Sequence, residues 1–418
     1  MVGLPEFEKG DHMPLFSIVI PTRKRAHLLR YALQSALQQT FSDYEIIVSN
    51  NGSDEDVHRV VAELGNSKVK YFRTAEVLPM PDHWEFALSH VRGEWITFLT
   101  DRGVMLRNCL GTVWRAIEET KARVISWRWA AYYHSSWYGA ELANQLELPT
   151  VSGKVTEKDS RRALRDLFEM REGPASPRIA NSAAHKSVIE TVCHRKGRLF
   201  SPPNPDYSAT IGALSVVDRY AVIDDILMLG GITRESTGYS AVFNRGESVQ
   251  RFIREFGEGG IYHHIPSGFP PLAIGSIAEN LLAEQAQMPD LLATYKLNWR
   301  RFFLGCYNEL KILRANGVDV RQDMNVLLST MRKQRAEVWL PVLAAVAYWR
   351  VRGAIGSGLR QHKSLSWVMG RIQDHRMRRQ GIQRVLGKEA GFNDILECAE
   401  KVDAWRTEAR KGRPLYQL

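Results

Sequence analysis

The stretch GEWITFLTDRG, residues 93–103, decides the fold predicted for this chain. Residues 94–99 form a short run of strand-forming side chains, too short for a helix and closed by polar residues. Asp101 follows where the chain leaves this strand. Ligands of open α/β sheets bind in the crevice outside the carboxyl ends of the strands. The acid therefore suits a metal-diphosphate site, although Asp and Gly also form ordinary turns.

Strand and helix patterns alternate on both sides of this stretch. Apolar runs at 15–20, 44–48 and 69–73 predict three earlier strands, and helical spacing of apolar residues separates them. Such alternation is typical of βαβ units. The sequence therefore predicts an α/β protein with a doubly wound, mostly parallel sheet, followed after residue 271 by a largely α-helical region.

Length and composition indicate a soluble protein of two or three domains, with 418 residues, 44% hydrophobic and 24% charged. The four cysteines have no CxxC spacing, which argues against a zinc site or a disulfide framework and favours a reducing cytosol. The first 14 residues lack a basic segment followed by an apolar one, so no signal peptide is expected.

Positive charge is concentrated at the end of the chain. Residues 331–418 contain 18 Lys and Arg against 8 Asp and Glu, an excess equal to the net charge of +10 of the whole chain. The apolar run at 338–349 is shorter than the roughly 20 residues that span a bilayer. The segment is therefore either an interfacial helix on anionic lipid or a buried helix beside a solvated charged face. Nucleic acid is a weaker alternative because few aromatic residues interrupt the basic ones.

Two further stretches bear on function. In SPPNPDYSA, residues 201–209, the prolines hold Asp206 in a defined place, as a reacting carboxylate or as a helix N-cap. The aromatic run at 123–139 contains Trp127 and Trp129, which suit either core packing or stacking against a sugar ring.

Four motifs in this order, SIVIPTRKR, EIIVSNNGSDED, GEWITFLTD and PNPDY, resemble the family 2 glycosyltransferases of the GT-A fold. These are inverting enzymes that use nucleotide sugars. The resemblance implies a catalytic domain at 14–265, after an N-terminal tail at 1–13. A helical extension at 266–330 and a basic helical segment at 331–418, with a membrane-docking role, would follow.

The resemblance implies the roles of particular residues. The expected nucleotide-sugar ligands are Pro21, Thr22, Arg23, Arg25, Asn50, Asn51, Asp101 and Arg102. Asn50 and Asn51 stand where the family has two aspartates that contact the base, and an amide can still pair with a uracil edge.

The family's metal site is incomplete in this chain. Asp101 matches the first acid of an Asp-x-Asp motif that holds Mg²⁺ or Mn²⁺, but Gly103 stands in place of the second. Losing a carboxylate weakens a site for a hard cation, whereas Arg102 offers a guanidinium that pairs with phosphate. The sequence thus predicts diphosphate binding more firmly than a metal.

Asp206 matches the family's general base, with Asp224 and Asp225 as reserves. A QxxRW motif of processive members is absent from the sequence, which favours transfer of one or a few sugars. The expected function is transfer from a UDP-sugar to a lipid-linked or polysaccharide acceptor, at the cytoplasmic face of a membrane. The alternatives are a sugar-phosphate nucleotidyltransferase, disfavoured because PTRKRAH has no glycine, and a non-catalytic sugar-nucleotide or glycan-binding protein.

Overall fold

The computed structural model describes residues 13–53, 56–137, 143–173, 176–236, 241–242, 247–256, 260–266, 268–347 and 381–410. The strands are β1 (Phe16–Thr22), β2 (Tyr44–Asn50), β3 (Val69–Arg73), β4 (Trp95–Phe98), β5 (Val104–Met105), β6 (Val124–Tyr133), β7 (Gln145–Pro149), β8 (Val155–Asp159), β9 (Ser182–His185), β10 (Arg219–Ile232) and β11 (Ile382–Leu386).

The helices alternate with the early strands and dominate after β10. They are α1 (Ala26–Leu37), α2 (Asp56–Leu64), α3 (Met80–Leu88), α4 (Cys109–Thr120), α5 (Ser160–Phe168), α6 (Lys186–Lys196), α7 (Pro205–Ser215), α8 (Glu247–Arg254), α9 (Ala273–Gln287), α10 (Pro289–Leu292), α11 (Trp299–Ala315), α12 (Arg321–Arg332), α13 (Gly387–Ala390) and α14 (Ile395–Arg410). A 3-10 turn, Ile179–Asn181, precedes β9.

The strands form one sheet with the main order β11-β7-β6-β9-β4-β1-β2-β3, and β10 pairs with β5, β6 and β8 beside that path. Strands β3, β2, β1 and β4 are parallel to one another. Strand β9 runs antiparallel between β4 and β6. The predicted α/β class is confirmed, and the sheet is mixed because β5, β7, β8 and β9 run antiparallel to the strands they pair with. The carboxyl ends of β1, β2, β4 and β6 lie at the same edge.

Two hydrophobic layers cover the sheet. Because successive strand residues point to opposite faces, Ile18 and Ile20 contact the layer of α1 and α4, and Val19 contacts the other layer. That second layer continues into the helices after residue 266, with Leu281 of α9 and Phe302 of α11 fully buried in it. The helical extension therefore shares its core with the domain that contains the sheet.

The C-terminal region differs from the expectation that it is helical throughout. Strand β11 pairs antiparallel with β7, and α14 packs on β5 and β10. Local sequence does not reveal β11 because its partner lies more than 200 residues earlier in the chain. Of the apolar run, residues 338–347 are helical and Val342 and Val346 are buried in the shared core.

The predicted docking segment, residues 331–418, is described only at 331–347 and 381–410. The dense basic stretch at 371–384 lies outside the described residues except for its last four. Within the described ranges, no helix combines the length and the apolarity needed to cross a membrane.

Candidate active site

Thr22, Arg25 and Asp101 meet at the carboxyl edge of the sheet. Thr22 ends β1, Arg25 immediately precedes α1, and Asp101 lies three residues after β4. Thr22 Oγ1 donates to Asp101 Oδ2 at 2.9 Å, and Arg25 Nη1 donates to Asp101 Oδ1 at 3.2 Å. The carboxylate is only 2% exposed, so the guanidinium offsets much of the cost of burying its charge. The structure brings these three predicted donor ligands together.

The arginines at this edge also contact acids from later in the chain. Arg23 pairs with Glu255, just after α8. Arg25 Nη2 donates to the backbone carbonyl of Glu235 at 2.7 Å, and its Nε lies 3.9 Å from Glu235 Oε2. Because carboxylates and phosphates bind guanidinium in the same way, an anionic ligand here competes with Glu235 and Glu255.

Asn50 and Asn51 lie at the same edge, where their amides hold loops. Asn50 Oδ1 accepts from the N–H and the hydroxyl of Ser53, and Asn50 Nδ2 donates to the Tyr71 hydroxyl at 3.0 Å. Asn51 exchanges two 2.8 Å hydrogen bonds with the backbone of Leu78. Both side chains are buried. A base contact by these amides stays a prediction, and it requires an exchange of these hydrogen bonds.

Pro21 and Arg102 both have backbone contacts with neighbouring elements at this edge of the sheet. Pro21 is buried within β1 and pairs in register with Ser49. A Cβ on Gly231 of β10 would lie 1.8 Å from the carbonyl oxygen of Arg102, so only glycine fits there. Contact of the half-buried Arg102 side chain with a diphosphate stays a prediction.

Gly103 occupies the place of the second acid, and the backbone of β10 leaves little room for a side chain. A Cβ on residue 103 would lie 3.0 Å from the carbonyl oxygen of Leu229 and 3.1 Å from Thr100 Oγ1. Asp101 is thus the carboxylate that this loop offers, and both its oxygens already accept hydrogen bonds. Among the described residues, no three His, Cys, Asp or Glu side chains form a group that could hold a metal ion. This arrangement does not fit a cation held by the protein itself.

Two histidines that sequence reasoning missed border the carboxyl ends of β1, β2 and β4, the predicted donor edge. His83 Nε2 in α3 lies 2.9 Å from Ser49 Oγ, and His134 Nε2 lies 3.2 Å from the carbonyl oxygen of Arg102. Burial lowers the pKa of each imidazole to about 4. Both rings are therefore neutral at pH 7. Neither stands in a motif, so the sequence alone gives no reason to select them.

Asp206 lies in the first turn of α7, and Asn204 is the N-cap, so the N-cap role considered for Asp206 is wrong. Its Oδ2 lies 3.8 Å from Arg178 Nη1, and 38% of its side chain is exposed. Partial burial raises the pKa of the Asp206 carboxyl, and the positive charge of Arg178 opposes this. An accessible carboxylate with a raised pKa suits proton abstraction.

Arg178 and its partners form a second group that the sequence did not identify. Arg178 forms a bidentate pair with Glu172 and lies over the Tyr207 ring, 3.1 Å from guanidinium carbon to ring centroid. The Tyr207 hydroxyl donates to Glu172 Oε2 at 2.9 Å. These contacts fix the guanidinium beside Asp206.

The sheet places Asp206 and Asp101 at the same edge. Strand β9 runs antiparallel to β4, so the residues just before β9 lie beside the end of β4. The 3-10 turn occupies this position, and Asn181 donates to the backbone carbonyl of Trp127 at 2.8 Å. Arg178 directly precedes that turn and therefore brings Asp206 to the edge where Asp101 lies.

The reserve acids are held in other interactions. Asp224 Oδ2 accepts from the N–H and the hydroxyl of Ser152. Asp225 forms a buried bidentate pair with Arg406 of α14, at 2.6 and 3.1 Å. Both contacts favour structural roles over proton transfer.

The aromatic run divides between the two predicted roles. Trp127 is 1% exposed and packs in the core. Trp129 is 37% exposed, and its ring covers Gly230, where a Cβ would come within 2.7 Å of it. Trp129 stays a candidate for contact with a sugar.

Comparison with known proteins gives sequence matches that cover part of the chain. A family model described as glycosyl transferase family 2 matches residues 17–166. A GalNAc(5)-diNAcBac-PP-undecaprenol beta-1,3-glucosyltransferase of Campylobacter jejuni is 35% identical over 27% of this chain and 37% of its own length. The Escherichia coli UDP-Glc:alpha-D-GlcNAc-diphosphoundecaprenol beta-1,3-glucosyltransferase WfgD is 25% identical over 23% of this chain and 38% of its own. The matched regions span well under half of these relatives.

Solved structures match over more of the chain at lower identity. S. aureus TarS 1-349 in complex with UDP-GlcNAc is 13% identical, with a TM-score of 0.44 over 72% of this chain and 89% of that chain. The mannosyltransferase PcManGT from Pyrobaculum calidifontis, in complex with GDP-Man and Mn²⁺, is 14% identical, with a TM-score of 0.40 over 86% and 84%.

Proposed function

We propose that this chain, whose residues 17–166 match the glycosyl transferase family 2 model, transfers a sugar from a nucleotide sugar to an acceptor hydroxyl with inversion at the anomeric carbon. The observation that carries the proposal is the accessible Asp206 carboxylate beside Arg178, which precedes the turn before β9. Thr22, Arg25 and Asp101 meet just after β4, the strand that β9 pairs with. The site thus offers cations for a diphosphate and a separate carboxylate for a proton.

The reaction uses these groups in one displacement. Arg25 and Arg23 bind the donor diphosphate after releasing Glu235 and Glu255. The acceptor oxygen attacks the anomeric carbon while its proton passes to Asp206. The bond from that carbon to the diphosphate oxygen breaks, and its electron pair leaves with the nucleotide. Attack opposite the leaving group inverts the configuration.

The names of the relatives support a proposed substrate class. Both named relatives are glucosyltransferases whose names include an undecaprenol diphosphate, and one name gives UDP-glucose as donor. These names support a UDP-sugar donor and a lipid-linked acceptor in surface glycan synthesis. Such an acceptor favours work at the cytoplasmic face of a membrane, and the positive charge of 331–418 supports attraction to anionic lipid.

A divalent cation stays part of the proposal only as an ion held chiefly by the donor phosphates. The proposed mechanism needs no metal, because the guanidinium groups of Arg25 and Arg23 carry the charge that the phosphates require.

Donor binding tests the proposal. We expect calorimetry to detect UDP-glucose or UDP-GlcNAc, and Asp101→Asn to weaken that binding about 10- to 100-fold, because a charge-assisted hydrogen bond that orients Arg25 is worth about 1.5–3 kcal/mol. Asp290→Asn, which alters a surface pair with Arg195, is the matched control. Transfer is then measured with the bound donor and a polyprenyl diphosphate-linked N-acetylhexosamine, with and without EDTA.

Each outcome of these assays has a meaning. Unchanged affinity in Asp101→Asn would refute the donor site. Donor binding without transfer to any acceptor would favour a sugar-nucleotide-binding protein. Diphosphate release from a nucleoside triphosphate and a sugar phosphate would favour a nucleotidyltransferase. Activity that EDTA abolishes would restore a metal to the mechanism.

A further inference from the structure

The loop that leads into Asp206, residues 199–204, is held by a helix from much later in the chain. Asn280 of α9 accepts from the Asn204 N–H at 3.0 Å through Oδ1. Its Nδ2 donates to the backbone carbonyls of Ser201 and Pro202 at 3.4 and 3.1 Å. Asn280 is completely buried, and one amide thus satisfies three backbone groups of the loop.

A buried ion pair reinforces the same junction. Lys196 Nζ, at the end of α6, contacts the two carboxylate oxygens of Glu284 at 2.7 and 2.8 Å and Ser201 Oγ at 3.2 Å. Neither charged side chain is exposed. Burial lowers the pKa of Lys196 and raises that of Glu284, and their mutual attraction opposes both shifts. The pair fixes α9 against α6 beside the loop.

The loop is also tied to the helix that carries Asp206. The Ser201 N–H donates to Ser208 Oγ at 2.7 Å, and Ser208 Oγ contacts the carbonyl oxygen of Leu199 at 3.2 Å. Phe200 N–H donates to the buried Glu85 carboxylate. With both ends fixed, the loop sets where the first turn of α7 begins.

We propose that α9, through Asn280, positions the Asp206 carboxylate for proton transfer, so that the helical extension forms part of the catalytic apparatus. This inference rests on the proposed function of Asp206. Proton abstraction requires the base within about 2.6–3.2 Å of the acceptor oxygen. A mutation far from the reacting atoms that misplaces a catalytic group by about 1 Å can lower the rate about 10²-fold. Asn280 touches neither the donor edge nor Asp206 itself, which makes it a positioning residue.

The test compares neighbouring residues of one helix. Asn280→Ala removes all three contacts, and Asn280→Asp keeps the shape and the acceptor for Asn204 but turns a carboxylate toward two carbonyls. The control is Glu279→Gln, since Glu279 is as buried but accepts from the backbone N–H groups of residues 263–265 instead. Measured quantities are kcat and the donor KM with UDP-glucose per folded molecule, calorimetric Kd for UDP, and hydrogen exchange of amides 199–208.

We expect both Asn280 variants to lower kcat about 10- to 100-fold. Exchange at 199–208 should become faster, while the Kd for UDP stays within about twofold of the wild-type value. Glu279→Gln should keep kcat. If Asn280→Ala does not fold, the isosteric Asn280→Asp supplies the test.

The results separate this inference from the proposed function. Folded Asn280 variants with wild-type kcat and exchange would overturn the positioning role and leave the glycosyltransferase proposal standing. A wild-type protein that transfers no sugar, with exchange at 199–208 still faster in the variants, would overturn the proposed function and the catalytic meaning of the contact. If Glu279→Gln lowers kcat to the same extent, Asn280 contributes to the stability of α9 and does not specifically position Asp206.

Discussion

Two regions of the site are supported by different parts of the chain. They are the donor edge, at the ends of β1, β2 and β4, and the base region, formed by α7 and its preceding loop. Asp101 is held by Thr22 and Arg25, and the Asn50–Ser53 turn holds itself. Asp206 instead depends on Arg178, and its loop depends on Asn280. The donor edge lies within the segment that matches the family model, whereas Arg178 and Asn280 lie outside it.

This difference explains what a motif can predict. Asp101 and its partners Thr22 and Arg25 lie more than 70 positions apart, but each of the three stands in or beside a strand-end motif, so the set of motifs contains both the carboxylate and its support. Asp206 stands on a helix, and packing against distant elements sets its position. The motif PNPDY does not include Arg178 or Asn280, which hold Asp206 and its loop. The comparison therefore predicts that changes in the base region lower the rate of transfer and leave donor affinity intact.

The largest expected effect is on Asp206→Asn. The amide keeps the shape of the carboxylate but accepts no proton, and loss of a general base costs about 10²–10⁴ in rate. We expect kcat to fall by that factor while calorimetric donor Kd stays unchanged. Asp290→Asn again controls for loss of a surface carboxylate. Equal losses of kcat and donor affinity would show that the donor edge and the base region do not act separately.

A second prediction concerns α14, a C-terminal helix whose contacts with β10 and with the chain after β5 support the donor edge. Arg406 of α14 pairs with Asp225 in β10, and Asp403 accepts from the Arg107 N–H after β5. Breaking a buried pair by removing one partner costs about 3–5 kcal/mol. We expect Arg406→Met to lower the free energy of unfolding by this amount in urea titration and to weaken UDP binding, because β10 backs the Asp101 loop.

The control for Arg406→Met is Arg195→Met, whose partner Asp290 is largely exposed. Removing such a surface pair should cost less than about 1 kcal/mol. If both variants unfold alike and donor affinity is unaffected, α14 is peripheral and the donor edge is supported by its own strands alone.

The sequence predicted features that depend on neighbouring residues and missed those that depend on residues far apart in the chain. The alternating apolar runs predicted the first four strands, since buried parallel strands carry a local pattern. The count of basic residues assigned Arg384 and Arg406 to a partner surface, but Glu147 and Asp225 pair with them from 237 and 181 residues away. Charge composition cannot reveal such partners. Membrane docking by the basic stretch stays a prediction, because most of that stretch lies outside the described residues.

The smallest expected effect comes from restoring the acid that the family has at position 103. If this chain had merely lost a side chain there, Gly103→Asp would recreate a metal site and make donor binding depend on Mn²⁺. The structure gives a different expectation, because a Cβ at this position would lie 3.0 Å from the carbonyl oxygen of Leu229. Overpacking of this kind costs about 1–3 kcal/mol.

We therefore expect Gly103→Asp to lower stability by that amount and to leave UDP binding independent of Mn²⁺. Gly173→Asp is the matched control, since a Cβ there meets only Ser176 Oγ at 3.7 Å and should cost little. Thermal unfolding of both variants, with and without UDP and Mn²⁺, gives the comparison. A Gly103→Asp protein that stays stable and gains affinity for UDP only with Mn²⁺ would show that β10 yields to a side chain. The donor edge would then be an altered metal site, and its dependence on Arg25 and Arg23 would be secondary.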